Sequence, residues 1–292
     1  MLSWLAISCR CEIASGVLTG LIYGLSALGL SVIFGVCKIV NFAHGEMMII
    51  AMYLALLIFR WLGLDPLASV PIVGALLFAL GYVMQAGLIN RLIDVPDHMQ
   101  FILLAAIAIA IVSGCLMIFG PDAQNVQLDY AYDSYEIGPL LLDKVRVFSG
   151  IAAIAVAGLL AAFFRWTWIG KAIRACGDNI TGARVVGLNV KHLFALAFGL
   201  GSVCIGAAGC ILLMLVDVQP FLAVEYTLLA FVVVIVGGLG SLTGALLAGV
   251  LIGVSEALAG LLIQPSLKSM FSFGLLILVL LFRPQGLVGK RT

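Results

Sequence analysis

Apolar runs of about twenty residues recur along this chain, and they constrain its fold more than any other feature. A helix rises about 1.5 Å per residue, so about 20 apolar residues cross the roughly 30 Å of hydrocarbon in a bilayer. Runs of that length fall near residues 13–36, 67–89, 100–119, 146–165, 191–215 and 244–262. Shorter runs near 44–59, 224–237 and 267–282 suit tilted, broken or partial crossings. Irregular backbone cannot face lipid, where its N–H and C=O groups find no partners. The expected fold is therefore all-α, a polytopic transmembrane helical bundle of eight or nine spans, some broken or short. Residues 1–292 form one domain in this reading. Charged residues make up 10% of the chain, against about 25% in soluble domains, too few to cover a water-soluble surface. The net charge of +1 gives no case for a nucleic-acid partner; the expected surroundings are membrane lipid.

The basic residues of short loops set an expected orientation. Segment 165–191 holds Arg165, Lys171, Arg174, Arg184 and Lys191 against one acid, Asp178. The tail adds Arg283, Lys290 and Arg291. Both are expected on the cytoplasmic side, as is the stretch 90–98 with Arg91. Segment 120–146, with Asp122, Asp129, Asp133, Glu136 and Asp143, is expected on the far side as a small polar hairpin or cap. The side of the N-terminus depends on whether 44–59 crosses fully. The opening MLSWLAISCRCE lacks the pattern of a signal peptide and reads as a short surface segment before the first span. Cys37, Cys115, Cys204 and Cys210 lie in apolar runs, where a thiol behaves as a small hydrophobe. Cys9 and Cys11 form a lone C-x-C without the fuller ligand set of a metal site.

Glycines recur four apart at Gly16, Gly20 and Gly24, at Gly240 and Gly244, and at Gly249 and Gly253. That spacing lets helix backbones approach closely in lipid. It speaks for a tightly packed bundle and says little about substrate.

Three segments carry residues that a bilayer penalises or that suit an interface. In 38–46, Asn41, His44, Gly45 and Glu46 stand directly before an apolar run. This is either an ordinary surface loop or a broken helix start, with Asn41 as cap and Glu46 at the positive end of the helix dipole. A broken helix of that kind presents free backbone N–H groups to a solute in a transport pathway. Gly237, Gly238, Gly240 and Ser241 suit a sharp turn or unwound stretch and are, with the first segment and Glu256, candidates for a translocation pathway; the lysine of a phosphate-binding loop is missing, so any ATP must be bound by another subunit. Segment 169–187 is basic and amphipathic, with Ile169, Ile173, Cys176, Ile180 and Ala183 as an apolar stripe. It reads as a helix resting on lipid or as one that docks a cytoplasmic motor. Glu256 lies mid-run, lining a polar cavity or bonding a neighbouring helix. His44, His98 and His192 are dispersed, and no catalytic or metal-binding constellation stands out, so nothing in these residues points to an enzyme.

Four stretches, in order, resemble the branched-chain amino acid ABC transporter permeases. They are GLIYGLSALGLSVIFGVCKIVNFAHGEMMIIAMYLAL with its NFAHGE core, WTWIGKAIRACGDNITGARVVGLNV, AFVVVIVGGLGSLTGALLAGVLIG and LLFRPQGLVGKR. The resemblance implies that 169–187 is a cytoplasmic coupling helix docking on an ATP-binding cassette protein, with Lys171, Arg174, Asp178 and Gly187 at matching positions. It places Asn41, His44 and Glu46 near the translocation pathway. It further implies a bacterial inner-membrane assembly with a second related permease, two cassette subunits that use ATP and Mg, and a periplasmic solute-binding protein. This chain itself would bind no cofactor. Cys176-Gly177 departs from the family pattern, and since glycine within a helix costs about 1 kcal/mol, the helix is expected to bend or shorten there. The implied function is import of branched-chain amino acids by alternating access. Alternatives are an ABC permease for urea, short amides or aromatic acids, and an ion-gradient-driven carrier using Glu256, Glu46 and His44.

Overall fold

Helix follows helix along nearly the whole chain. The structure, a computed structural model, describes residues 2–92, 95, 97–128, 130, 133–137, 140–262 and 268–289. Asp129, Lys290 and Arg291, used above for orientation, lie outside them. The elements are α1 (Leu2–Cys37), α2 (His44–Leu62), α3 (Pro66–Gly87), a 3-10 turn (Ile89–Leu92), α4 (Asp97–Phe119), β1 (Ser134–Ile137) and β2 (Leu140–Asp143). They continue as α5 (Lys144–Trp166), α6 (Trp168–Asp178), α7 (Ile180–Val185), α8 (Val190–Leu212), α9 (Leu222–Gly237), α10 (Leu242–Leu262) and α11 (Lys268–Phe282). Among the described residues 7 helices are long and apolar enough to cross a membrane, and two shorter apolar helices lie at 222–237 and 270–282. The chain is a multi-pass membrane protein.

Two boundaries differ from the sequence reading. α1 begins at Leu2, so the opening residues extend the first helix instead of preceding it as a surface segment. The run 44–59, ranked above as short, extends through Arg60 to Leu62 and qualifies as a span; its end is set by Gly63 in the left-handed conformation, φ +66.

Packing places α8 at the centre and α4 at the rim: 83% of α8's most apolar window is buried, against 17% for α4. α1 crosses both α8 and α10. The spaced glycines meet across α1 and α10, where a Cβ on Gly16 would lie 2.8 Å from the Gly253 carbonyl oxygen and one on Gly20 2.6 Å from that of Gly249. Close backbone approach of this kind maximises dispersion contact, which lipid does not replace.

The ends of the bundle sort by charge. At one end β1 and β2 form an antiparallel hairpin, Ser134 opposite Asp143. Tyr130 donates its hydroxyl to Asp65 in the α2–α3 turn, and Gln124 bridges Val218 beyond α8. The beginning of α1 lies there too, with Leu18 against Gly150 of α5. At the opposite end Asn90 donates to the Lys191 carbonyl at 3.1 Å, and Gly35 near the end of α1 meets Gly240. The basic 165–191 segment is at this end.

Candidate functional site

Where α1 ends, the chain turns back into the bundle. Lys38 takes φ +58 and Lys38 N–H still donates to the Phe34 carbonyl at 3.0 Å. Residues 38–43 then run back beside α1, with the Phe42 ring 4.4 Å from Phe101 and 5.2 Å from Phe231, centroid to centroid. His44 Nε2 lies 3.0 Å from the Ser26 hydroxyl. Ser26 precedes Cys37 by eleven positions, so α2 starts about 16 Å inside the end of α1. The second of the two sequence readings holds: this is a helix start within the bundle. Asn41 and His44 are fully buried and Glu46 is 4% exposed.

The expected cap is not the one used. Ala43 occupies the N-cap position and no side chain caps α2 there. Asn41 acts earlier, its Oδ1 accepting from Ala43 N–H at 3.1 Å, because the extended lead-in places it before the first turn. The first turn is instead satisfied from α9. Gly45 N–H donates to Thr227 Oγ1 at 2.8 Å, and the Thr227 hydroxyl donates to Glu46 Oε2 at 3.3 Å. Only glycine fits at 45, since a Cβ would overlap the Ala223 carbonyl oxygen. Glu46 thus sits in the first turn as expected, favourable to the helix dipole. His44 Nδ1 has no hydrogen-bond partner among the described residues.

Glu256 belongs to a neighbouring cavity of about 660 Å³, lined by Tyr23, Glu225, Tyr226, Glu256, Ser272 and Phe273 among others. The Ser272 hydroxyl donates to the Glu256 carboxylate, and the Tyr23 hydroxyl reaches the same group. Tyr23 and Tyr226 also line a small gap with Ser26 and Met48. A file of polar groups therefore leads from His44 through Ser26 and the tyrosines to Glu256. Its wall mixes hydrogen-bonding groups with aliphatic surface, which suits a small solute with one polar end. Among the described residues no group of three or more His, Cys, Asp or Glu side chains could hold a metal ion.

Gly237, Gly238, Gly240 and Ser241 are not part of this file. Ten residues separate Thr227 from Gly237 along α9, about 15 Å of rise. They form the α9–α10 turn, with Gly238 and Gly240 at φ +101 and +80, and the Ser241 hydroxyl accepting from Gly244 N–H at 3.1 Å. The closing tail clamps this turn: Leu287 N–H donates to the Val236 carbonyl at 2.8 Å and Val288 N–H to that of Gly237 at 3.1 Å.

At the same end, 169–187 is two helices and not one. Thr167 caps α6 by accepting from Gly170 N–H at 3.0 Å. Asn179 ends α6 and caps α7, its side chain accepting from Gly182 N–H at 2.8 Å. The helix does shorten, two residues after Gly177. Gly177 has its own reason: a Cβ would lie 2.9 Å from the Gly35 carbonyl oxygen of α1. The apolar stripe keeps Ile173 and Cys176 fully buried and Ala183 at 6%, but Ile169, at the first turn of α6, is 47% exposed. Burial pushes the Cys176 thiol up, with Arg184 opposing. Lys171, Arg174, Asp178 and Gly187 are all exposed, Gly187 at φ +87.

The sequence reading missed Ser26, Thr227, Tyr23, Tyr226 and Ser272. Tyr23 and Ser26 lie within one apolar run and Tyr226 and Thr227 directly follow Glu225; a hydroxyl inside an apolar run was the available signal.

The fold is similar to that in the structure of PsaBC from Streptococcus pneumoniae in complex with Fab, with a TM-score of 0.52 and 15% identity over 98% of this chain and 97% of that one. In sequence, the chain is 27% identical to the high-affinity branched-chain amino acid transport system permease protein BraD of Pseudomonas aeruginosa, covering 96% of this chain and 95% of BraD. It is 29% identical to LivH of Escherichia coli K12, a permease protein of the same description, over the same shares. A family model matches residues 12–280, and with the polar helix break and its packing in place, the chain belongs to the branched-chain amino acid transport system permease component family.

Proposed function

We propose that this chain is the membrane-spanning subunit of an ATP-driven importer that moves branched-chain amino acids, or a closely related small solute, by alternating access. In this reading it pairs with a second related permease and two cassette ATPases that hold ATP and Mg, and receives solute from a periplasmic binding protein at a bacterial inner membrane. The hairpin end faces the binding protein; 165–191 and the C-terminus are cytoplasmic, consistent with the positive-inside rule. The N-terminus is then external. Asn41, His44, Gly45, Glu46 and Glu256 border the pathway, and the 237–241 turn is part of the cytoplasmic mechanical frame.

One observation carries the reading. α6 buries Ile173 and Cys176 completely while Lys171, Arg174 and Asp178 face outward. A helix so anchored transmits a push from a docked motor to α1 and α8 as a rigid body. Labelled leucine uptake into proteoliposomes holding the co-purified complex tests this, with binding protein supplied and ATP present or absent. ATP-dependent uptake that valine inhibits is expected. Ile173→Asp should leave ATP hydrolysis running but uncouple it from uptake; normal ATP-driven uptake in that variant refutes the coupling role. Uptake driven by an imposed ion gradient without ATP refutes the importer mechanism.

A further inference from the structure

A second cavity, of about 280 Å³, opens at the junction of α1, α6 and α10, away from the Glu256 file. It holds about nine waters at ~30 Å³ each, just below the roughly 300 Å³ at which drug-sized sites begin. That is room enough for a single small amino acid. Its lining divides by chemistry. Arg174 and Asp178, one turn apart on the exposed face of α6, supply a cation and an anion. Val32, Val36 and Leu242 supply an aliphatic wall. Ser31 is also in the lining, 1% exposed, its hydroxyl without a hydrogen-bond partner among the described residues. A buried hydroxyl left in that state costs about 1–3 kcal/mol.

Among the described residues neither charge has an ion-pair partner: the ion pairs are Lys144–Asp133 and Arg146–Asp143. A direct Arg174–Asp178 contact would add only about 0.2–0.5 kcal/mol, and the basic residue preceding the acid is the weaker order on a helix. An anion alone would leave Asp178 facing like charge, and a cation alone would leave Arg174 so. A zwitterion satisfies both. Its carboxylate matches the forked guanidinium and its ammonium the Asp178 carboxylate. A branched aliphatic side chain completes the contact with Val32, Val36 and Leu242.

We infer that this cavity binds a free aliphatic α-amino acid from the side that α6 faces. Occupancy withholds Arg174 and Asp178 from the cassette subunit, so accumulated product slows the motor that imports it. The regulatory step rests on the coupling role proposed above; the binding site does not.

The test is equilibrium binding of labelled leucine to the nucleotide-free co-purified complex, without binding protein. Ser31→Leu and Leu242→Trp fill the cavity and leave both charges in place; Leu242, half-buried at the rim, keeps the test available if Ser31→Leu fails to fold. Each filling should weaken binding about tenfold or more. The competitors 4-methylpentanoate and 3-methylbutylamine, each carrying one of the two charges, should displace leucine poorly. ATP hydrolysis should fall as leucine rises on the α6 side in wild type and not in the filled variants. No leucine binding, binding unchanged by a folded filled variant, or displacement by either single-charge analogue as effective as by leucine overturns the site. Binding as described with hydrolysis unaffected overturns the regulatory step. Uptake without ATP in wild type refutes the importer reading instead and leaves the binding result standing.

Discussion

Gly45→Ala concentrates the physics of the broken helix in one methyl group. The added Cβ would overlap the Ala223 carbonyl oxygen and lie 2.6 Å from Thr227 Oγ1 and 2.8 Å from Thr227 N. Two of these three atoms are backbone atoms of α9, so no rotamer change relieves the overlap; α2 and α9 must separate. Overpacking of a tight interior costs about 1–3 kcal/mol. Separation also breaks the 2.8 Å bond from Gly45 N–H to Thr227 Oγ1, and a buried donor without a partner costs about 1–3 kcal/mol more. The sum is about 2–6 kcal/mol, and even its lower end shifts the folding equilibrium about 30-fold. Gly158→Ala is the control. Nothing lies within 4 Å of its Cβ position on α5, and the substitution gains up to about 1 kcal/mol of helix propensity. Denaturant titration of both variants in matched nanodiscs, followed by tryptophan fluorescence, reads the difference. Equal stability of the two would refute the close approach of α2 to α9.

Thr227→Val removes one hydroxyl that serves two groups, Gly45 N–H and Glu46; a loss of about 1–3 kcal/mol in the same titration is expected, with Thr227→Ser largely retaining stability. Gly286→Val, at φ +78 and with its Cβ 2.5 Å from Gly238 N, should release the tail from the α9–α10 turn and raise amide exchange at Leu287 and Val288. Lys38→Gly removes a side chain from a left-handed position, φ +58, and should stabilise the turn by up to about 1 kcal/mol. Burial and the bond to Asp65 raise the Tyr130 phenol above its ordinary value. Its contribution is therefore complete below about pH 10 and is lost as pH climbs through the raised value. Tyr130→Phe should flatten the alkaline limb of a stability-versus-pH curve, and an unchanged limb would refute the Tyr130–Asp65 contact.

Apolar run length, a local property, marked six of the seven long helices, because the bilayer demands a fixed length of satisfied backbone; the seventh, α2, read as short because Arg60 interrupts its apolar run. The polar break at 41–46 was visible for the same reason: such residues stand out where lipid excludes them. The packing role of Gly16, Gly20 and Gly24 was also legible, since spacing of four puts them on one helix face. The cap assigned to Asn41 failed because capping depends on the backbone path into the helix, which the residue types alone leave open.

Partnership across the chain was decided only by the tertiary structure. Thr227 meets Gly45 across 182 positions, and Ser26 meets His44 because residues 38–43 fold back along α1. The glycines of 237–241, which read as pathway candidates in sequence, lie in the α9–α10 turn, held by the tail that bonds Val236 and Gly237. Arg174, Asp178 and Ser31 likewise share a cavity through the contact of α6 with α1. Composition and period report what each helix needs from its solvent, residue by residue. Which helix supplies the missing partner depends on crossing angles and depth, and those are set by the simultaneous packing of all the helices.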